Sequence, residues 1–267
     1  MDIREKYEKL QGLLKQMGRV AVAFSGGVDS AFLLAAAREA LGEGVLAVTA
    51  SSPSFPAREQ AEAEAFCRER GISQVVFASE EMKLEAYRKN PPDRCYICKR
   101  SIFGKIREIA EGHHTDWVIE GSNTDDEGDY RPGMRAIKEL GIRSPLREAG
   151  FSKAEIRALS KEMGIPTWEK PSFACLASRF AYGERIDEKR IAMVGRAEQF
   201  LLDQGFAQVR VRIHGSIARI EVLPGDIARL AGPGMRERVA EELKALGFTY
   251  VALDLVGYRT GSMNEVL

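Results

Sequence analysis

The chain has 267 residues, and its 39 Lys and Arg balance 39 Asp and Glu, so the formal net charge is zero. That length buries a sizeable core in one large or two modest domains, and the charge balance argues against a protein that grips long nucleic acid by counterion release. Four cysteines are too few for a disulfide scaffold of this size, no apolar run approaches membrane-spanning length, and the charged start Met1-Asp2-Ile3-Arg4-Glu5 leads into an amphipathic helix with no signal peptide. The expected setting is the cytoplasm, with thiols kept reduced for chemistry or metal.

The first strong pattern is Val20-Ala21-Val22-Ala23-Phe24, a short apolar run that reads as a buried parallel strand. Ser25-Gly26-Gly27-Val28-Asp29-Ser30 follows as a tight loop, and Ala31 to Ala40 is a good helix former. Two glycines let the backbone bring its N–H groups against a ligand with no Cβ in the way. The helix start aims its positive end and its unpaired N–H groups into the same space, so the loop is built to hold an anion. Ser25 and Ser30 add hydroxyl donors. Asp29 would repel a bare phosphate and makes sense only if a divalent cation accompanies the nucleotide. No Lys follows the glycines as in G-x-x-x-x-G-K-[ST], so this is not a Walker A loop. The plainer alternative is a strand-to-helix turn with convenient glycines.

Further strands are expected at Val45-Leu46-Ala47-Val48-Thr49, Val75-Val76-Phe77-Ala78 and Trp117-Val118-Ile119-Glu120, with helices after Pro56 and over residues 100 to 111. Strands alternating with helices predict an α/β domain, a parallel sheet with helices on both faces. Ligands bind such sheets at the carboxyl ends of the strands, so the glycine loop, Ala50-Ser51-Ser52 and Gly121-Ser122-Asn123 should meet. Asp125, Asp126 and Asp129 follow the fourth strand. They read either as magnesium ligands, with Asn123 and Asp126 the better placed, or as a polar loop capping the helix after Pro132. Ser152-x-x-Glu155 is a capping box that opens a helix running to Met163, stopped by Gly164-Ile165-Pro166.

From about residue 186 the pattern changes to helix, strand, strand, helix, strand. This predicts a smaller α+β C-terminal domain, with residues 1–182 and 183–267 as the two domains. Residues 207 to 223 read as a hairpin turning at Gly215-Ser216, since Gly at the first turn position suits type II′. His214 then faces Ile217, Arg212 faces Arg219 and Arg210 faces Glu221. The four charged positions share one face, with Val209, Val211 and Ile213 behind it. Three arginines and a glutamate make either a phosphate or carboxylate receptor or a charged solvent face. Arg179 and Arg259 are further candidates.

Cys95-Tyr96-Ile97-Cys98 is a C-x-x-C pair, whose spacing lets two thiolates meet one metal or form one disulfide. It lacks the Trp and Gly-Pro that flank redox-active pairs, and no second pair completes a four-cysteine zinc site. Cys175 sits in Lys170-Pro171-Ser172-Phe173-Ala174-Cys175-Leu176-Ala177-Ser178-Arg179, where flanking basic residues favour the thiolate. Three cysteines suit a [4Fe–4S] cluster with one open iron. Cys67, on a helix, reads as a buried apolar filler.

The Ser25–Ser30 loop resembles the pyrophosphate loop of ATP pyrophosphatases, which cleave ATP to AMP and pyrophosphate. Taken with the segment from Gly121 to Gly133, the segment from Lys170 to Arg185 and the tail Tyr258 to Glu265, the chain resembles the LarE-type ATP-dependent sulfur transferases. These build the nickel-pincer nucleotide cofactor of lactate racemase. The resemblance implies that ATP and Mg2+ bind at Ser25, Gly26, Gly27, Asp29, Ser30, Asn123 and Asp126. It implies a small nucleotide substrate, pyridinium-3,5-biscarboxylic acid mononucleotide, near Arg179, Arg210, Arg212, Glu221 and Arg259. ATP would adenylate a carboxylate of that substrate, and a sulfur nucleophile would convert it to a thiocarboxylate. Members with a lone cysteine at the position of Cys175 give up their own sulfur, leaving dehydroalanine. Members with three cysteines hold a [4Fe–4S] cluster, and Cys95, Cys98 and Cys175 match that set, which makes the cluster the expected sulfur carrier; the alternative is Cys175 as a consumed sulfur donor, with Cys95 and Cys98 structural or incidental. Competing readings are a tRNA thiolase, which would co-purify with tRNA, and an amide-forming ligase of the same superfamily, which would not need Cys175. A nucleotide-sensing module would bind ATP without releasing pyrophosphate. No nucleic-acid or membrane partner is expected, and the hairpin domain could support a homo-oligomer.

Overall fold

Strands that are apolar on both faces need helices above and below them, and this requirement organises the first part of the chain. A computed structural model describes residues 1–126, 132–171, 174–259 and 261–264. In chain order it contains α1 (Ile3–Met17), β1 (Val20–Ala23), α2 (Val28–Leu41), β2 (Val45–Ser51), α3 (Ala57–Glu69) and β3 (Ser73–Ala78). Next come α4 (Glu85–Arg88), α5 (Arg94–Gly112), β4 (Trp117–Ile119), α6 (Gly133–Glu139), α7 (Pro145–Ala149) and α8 (Lys153–Glu162). The chain ends with α9 (Glu188–Asp203), β5 (Val209–His214), β6 (Ile217–Val222), α10 (Ile227–Ala231), α11 (Met235–Leu246) and β7 (Tyr250–Leu253). No helix among the described residues is long and apolar enough to cross a membrane.

Two compact units result, Met1–Glu81 with Asp93–Phe173, and Met82–Pro92 with Ala174–Leu267. The division falls at 173/174, whereas the change of pattern along the sequence suggested 182/183. The segment 82–92, expected in the first domain, goes with the second unit. Hydrogen bonds are the reason: the Asn90 amide donates to the Ala181 carbonyl (2.7 Å), Gly183 N–H to the Asn90 carbonyl (2.9 Å) and Ile186 N–H to the Arg88 carbonyl (2.8 Å).

The first unit is the anticipated α/β sheet, all parallel, in the order β3-β2-β1-β4. Val20, Val22, Val45 and Ala47 face one core, with Leu10, Leu14, Phe32, Leu33, Ile156 and Leu159 of α1, α2 and α8. Ala21, Leu46, Val48 and Val118 face another, with Phe103 and Ile106 of α5 and Ile137 of α6. Because β2 lies on one side of β1 and β4 on the other, the chain changes direction at β1. The crevice beyond β1 and β4 is the place where such sheets bind ligands. Two helices begin earlier than the sequence pattern suggested. α2 starts at Val28, placing Asp29 and Ser30 on its first turn, and α5 starts at Arg94, directly after Pro91-Pro92 and Asp93. The prolines stop any upstream helix and the new one nucleates behind them.

The second unit is α+β, with a three-stranded sheet in the order β5-β6-β7. β5 and β6 form the expected hairpin with Arg210 opposite Glu221, Arg212 opposite Arg219 and His214 opposite Ile217, turning at Gly215 with φ +59°. β7 then returns parallel to β6 after α10 and α11.

Candidate active site

The loop after β1 has the geometry of an anion cradle. Gly26 has φ +73°, and a Cβ there would lie 3.2 Å from both the Ala63 Cβ and the Glu59 carbonyl, so any side chain is strained and crowded. Gly27 caps α2 with no side-chain hydrogen bond, which leaves the first-turn N–H groups of the helix open to a ligand. The Ser30 hydroxyl donates to the Gly27 carbonyl (3.0 Å) and lies 3.2 Å from the Ser25 hydroxyl, so both serines line the same turn.

The register of β4 beside β1 brings the next loop against this one. A Cβ on Gly121 would stand 2.9 Å from the Ser30 nitrogen and 3.1 Å from the Asp29 carbonyl carbon, both backbone atoms that cannot step aside. The sequence placed Gly121 at the strand end expected to meet the glycine loop, and the packing shows why that position holds no side chain. Gly121→Ala is expected to push the first turn of α2 outward, costing about 1–3 kcal/mol of stability and weakening ATP binding. Urea denaturation and an ATP titration on the folded variant check both effects.

Asn123 is buried, its side-chain oxygen accepts from Asp125 N–H (2.9 Å), and its own N–H donates to Asp126 (3.0 Å). Asp125 also accepts from Lys153 N–H (2.8 Å) at the start of α8. Asn123 and Asp125 are therefore engaged within the loop and with the next helix, whereas Asp129 lies outside the described residues. Asp29 forms an ion pair with Lys153, and its Oδ1 is buried and accepts no hydrogen bond. Burial raises the Asp29 pKa, Lys153 opposes the rise, and the Asp126 charge adds to it, leaving the carboxyl above its ordinary value. Two neighbouring carboxylates, one with a free buried oxygen, are what a magnesium ion takes from a protein when phosphates supply its other ligands. Asp29 and Asp126 fit that role.

Tertiary structure also supplies the lysines that do not follow the glycines in sequence. Lys153 reaches Asp29 from α8. Lys170 reaches the Gly26 carbonyl (3.2 Å) while pairing with Glu59 and Glu62, each at 2.6 Å. The sequence linked neither lysine to the glycine loop.

In the second unit Cys175 is half-buried and opens a short 3-10 turn, Leu176–Arg179. Arg179, a substrate-binding candidate by sequence, is 0% exposed. Its guanidinium grips Glu198 through two bonds of 2.8 and 2.7 Å and donates to the carbonyls of Ala174 (2.7 Å) and Cys175 (3.1 Å). Burial opposes the Arg179 charge, and Glu198 more than offsets it, holding the pKa above the usual value. Through the Ala174 and Cys175 carbonyls it shapes the cysteine loop.

The hairpin arginines are not on a solvent face: Arg210 is 3%, Arg212 5% and Glu221 0% exposed. Arg212 holds Glu221 with two bonds (3.1 and 2.9 Å) and donates to the Ser178 carbonyl (3.2 Å), and Ser262 bonds both Arg212 and Glu221. Arg219 joins Glu221 and Asp254, and Arg259 lies 3.6 Å from Asp254. Arg210 packs over the Tyr258 ring, and burial first and the Arg179 charge second pull its pKa down to about 10. Such an environment gains from an added anion. Glu198 and Ser262 were invisible in the sequence because each acts through a partner far along the chain.

Cys95 and Cys98 lie on the first turns of α5 in the first unit, and Cys175 belongs to the second. Among the described residues no group of three or more His, Cys, Asp or Glu could hold a metal ion. The cluster set anticipated from the resemblance thus draws Cys95 and Cys98 from one unit and Cys175 from the other, and nothing in the described residues supports a cluster. Cys67 is buried in the core, and burial pushes its thiol up to about 12.

No family model matches the chain. An uncharacterised protein of Synechocystis is 40% identical over 265 residues, spanning 99% of both chains. A glutamine-hydrolysing GMP synthase component from Thermoplasma acidophilum is 27% identical over 172 residues, covering 59% of this chain and 55% of its own. The pyridinium-3,5-bisthiocarboxylic acid mononucleotide synthase of Lactiplantibacillus plantarum is 39% identical over 263 residues, covering 98% of this chain and 95% of that enzyme. With that identity over nearly its whole length, and with the glycine loop placed at the crevice of a parallel sheet, the chain belongs to the LarE-type family within the ATP pyrophosphatase superfamily.

Proposed function

We propose that this protein is a cytoplasmic ATP-dependent sulfur transferase that converts a carboxylate of pyridinium-3,5-biscarboxylic acid mononucleotide to a thiocarboxylate. The observation that carries this reading is the conjunction of an open anion loop with a half-buried cysteine whose backbone is clamped by a buried arginine.

A carboxylate is a poor electrophile until it has a leaving group. The triphosphate would lie on the loop Ser25–Ser30, with the open N–H groups of α2 and the Ser25 and Ser30 hydroxyls toward the departing pyrophosphate. Asp29 and Asp126 would hold Mg2+, which neutralises phosphate charge, and Lys153 would leave Asp29 for the phosphates as the metal arrives. The substrate carboxylate attacks the α-phosphorus, the bond to pyrophosphate breaks, and an acyl-adenylate forms. The Cys175 thiolate attacks the acyl carbon, the C–S bond forms and AMP leaves. Loss of the Cys175 Cα proton to a base breaks the Cβ–Sγ bond. The thiocarboxylate departs and dehydroalanine remains. Arg210, with Arg212 held against Glu221, would receive the phosphate of the substrate.

The test is mass spectrometry of the Cys175 peptide after incubation with magnesium, ATP and substrate, together with iron analysis of anaerobically purified protein. Loss of the elements of hydrogen sulfide from Cys175, one product per chain and no iron are expected. An intact Cys175 after product forms, with bound iron that Cys95→Ala removes, would place the sulfur on a cluster instead.

A further inference from the structure

Lys170 follows a 3-10 turn, Pro166–Glu169, and its stem is fixed on α8: Arg157 donates to the Lys170 carbonyl (2.7 Å) and to that of Trp168. Its ammonium has three donors, and three acceptors receive them, the Gly26 carbonyl at 3.2 Å and the Glu59 and Glu62 carboxylates at 2.6 Å. The peptide between Gly26 and Gly27 is trans, as are all those described. In a trans peptide the carbonyl and the following N–H point in opposite directions. A donor holding the Gly26 carbonyl from the α3 side therefore aims the Gly27 N–H the other way. That N–H donates to nothing among the described residues and stands beside the open first turn of α2. A peptide between two glycines has little steric preference to hold this orientation unaided. Behind the loop, the Glu59 Oε1 is buried and accepts no hydrogen bond; Arg58 stands 3.9 Å from Glu59 and 3.5 Å from Glu62, farther than the Lys170 ammonium at 2.6 Å, so losing the ammonium leaves two less fully neutralised carboxylates behind an anion site.

We propose that Lys170 is a positioning residue for the pyrophosphate group: it turns the Gly27 N–H toward the anion and neutralises Glu59 and Glu62 behind it. This rests on the reading of Ser25–Ser30 as the pyrophosphate loop. The role is distinct from that of Lys153, which faces the metal-side carboxylate.

The test is calorimetric titration of wild type and Lys170→Met with inorganic pyrophosphate and, separately, with adenosine. Losing a charge-assisted hydrogen bond that sets the site should weaken pyrophosphate binding about 10- to 100-fold, while adenosine, which has no phosphate, binds as before. A merely structural role would weaken both ligands alike, and that result, or unchanged pyrophosphate affinity in folded Lys170→Met, overturns the proposal. In unmodified protein, the Gly27 amide proton should move downfield in the NMR spectrum as pyrophosphate is added. An unmoved Gly27 amide in a protein that binds pyrophosphate overturns the proposal without recourse to a variant. If wild type binds no pyrophosphate at all, the loop reading falls together with it.

Discussion

Cys175→Ser is expected to lower thiocarboxylate formation by on the order of 10³-fold or more, while ATP-dependent pyrophosphate release continues. The reason lies in the division of labour along the chain. In the proposed mechanism adenylation would draw on the loop Ser25–Ser30, on Asp29 and on the lysines of the first unit, and sulfur delivery on one side chain of the second. A serine hydroxyl is almost wholly protonated at neutral pH and is a far weaker nucleophile than a thiolate, yet it is nearly the same size, so folding should be unaffected. Measuring pyrophosphate and thiocarboxylate in the same reaction separates the two half-reactions. If both products fell together, Cys175 would be acting on the adenylation site. If neither fell, the sulfur would come from elsewhere. An amide-forming ligase would keep its full activity.

The second large effect is on stability. Arg179→Ala should cost about 3–5 kcal/mol, because it leaves the buried Glu198 carboxylate without its counter-ion. Glu198 also accepts from the Val211 N–H (2.9 Å), so the loss is passed to β5. The contrast is the Arg4–Glu162 pair, whose side chains are 62% and 54% exposed. Removing that pair should leave stability nearly unchanged, since water and salt already screen it. Arg179→Lys does not repair the site, because one ammonium cannot reproduce a fork that holds a carboxylate on one edge and the Ala174 and Cys175 carbonyls on the other. Urea unfolding of the two alanine variants gives the comparison directly. A folded Arg179→Lys protein should also transfer sulfur poorly while still releasing pyrophosphate, since the clamp on the cysteine loop is lost. Equal stability of Arg179→Ala and wild type would mean that the cluster rearranges around the missing guanidinium.

Periodicity and local chemistry made much of this protein legible before any coordinates. Val20 to Phe24 had to be a buried strand because it offers no polar face to water. Gly26 and Gly27 formed the expected tight turn into α2, and the Ser152–Glu155 box formed as a helix start with both reciprocal bonds in place. The hairpin register followed from the single two-residue turn at Gly215-Ser216, because a strand's side chains alternate with period two and one turn sets every pair beyond it. Family resemblance added the chemistry expected of Cys175.

What the sequence by itself determined was therefore the set of local structures and the glycine loop between β1 and α2, since each depends on neighbours a few residues away. Only the tertiary structure decided which distant groups complete them. Strand order put β4 beside β1 and so pressed Gly121 against Asp29 and Ser30. α8 and the segment behind it delivered Lys153 and Lys170 to a loop more than a hundred residues upstream. Burial set Arg179 against Glu198 and the cysteine loop, and packed Arg210 and Arg212 into a buried charged cluster rather than a solvent face. The start of α5 at Arg94 placed Cys95 and Cys98 on a helix of one unit while Cys175 belongs to the other. A charge or a glycine reads the same in sequence whether exposed or buried, and its partner is set by packing of the whole sheet and its helices, not by spacing along the chain.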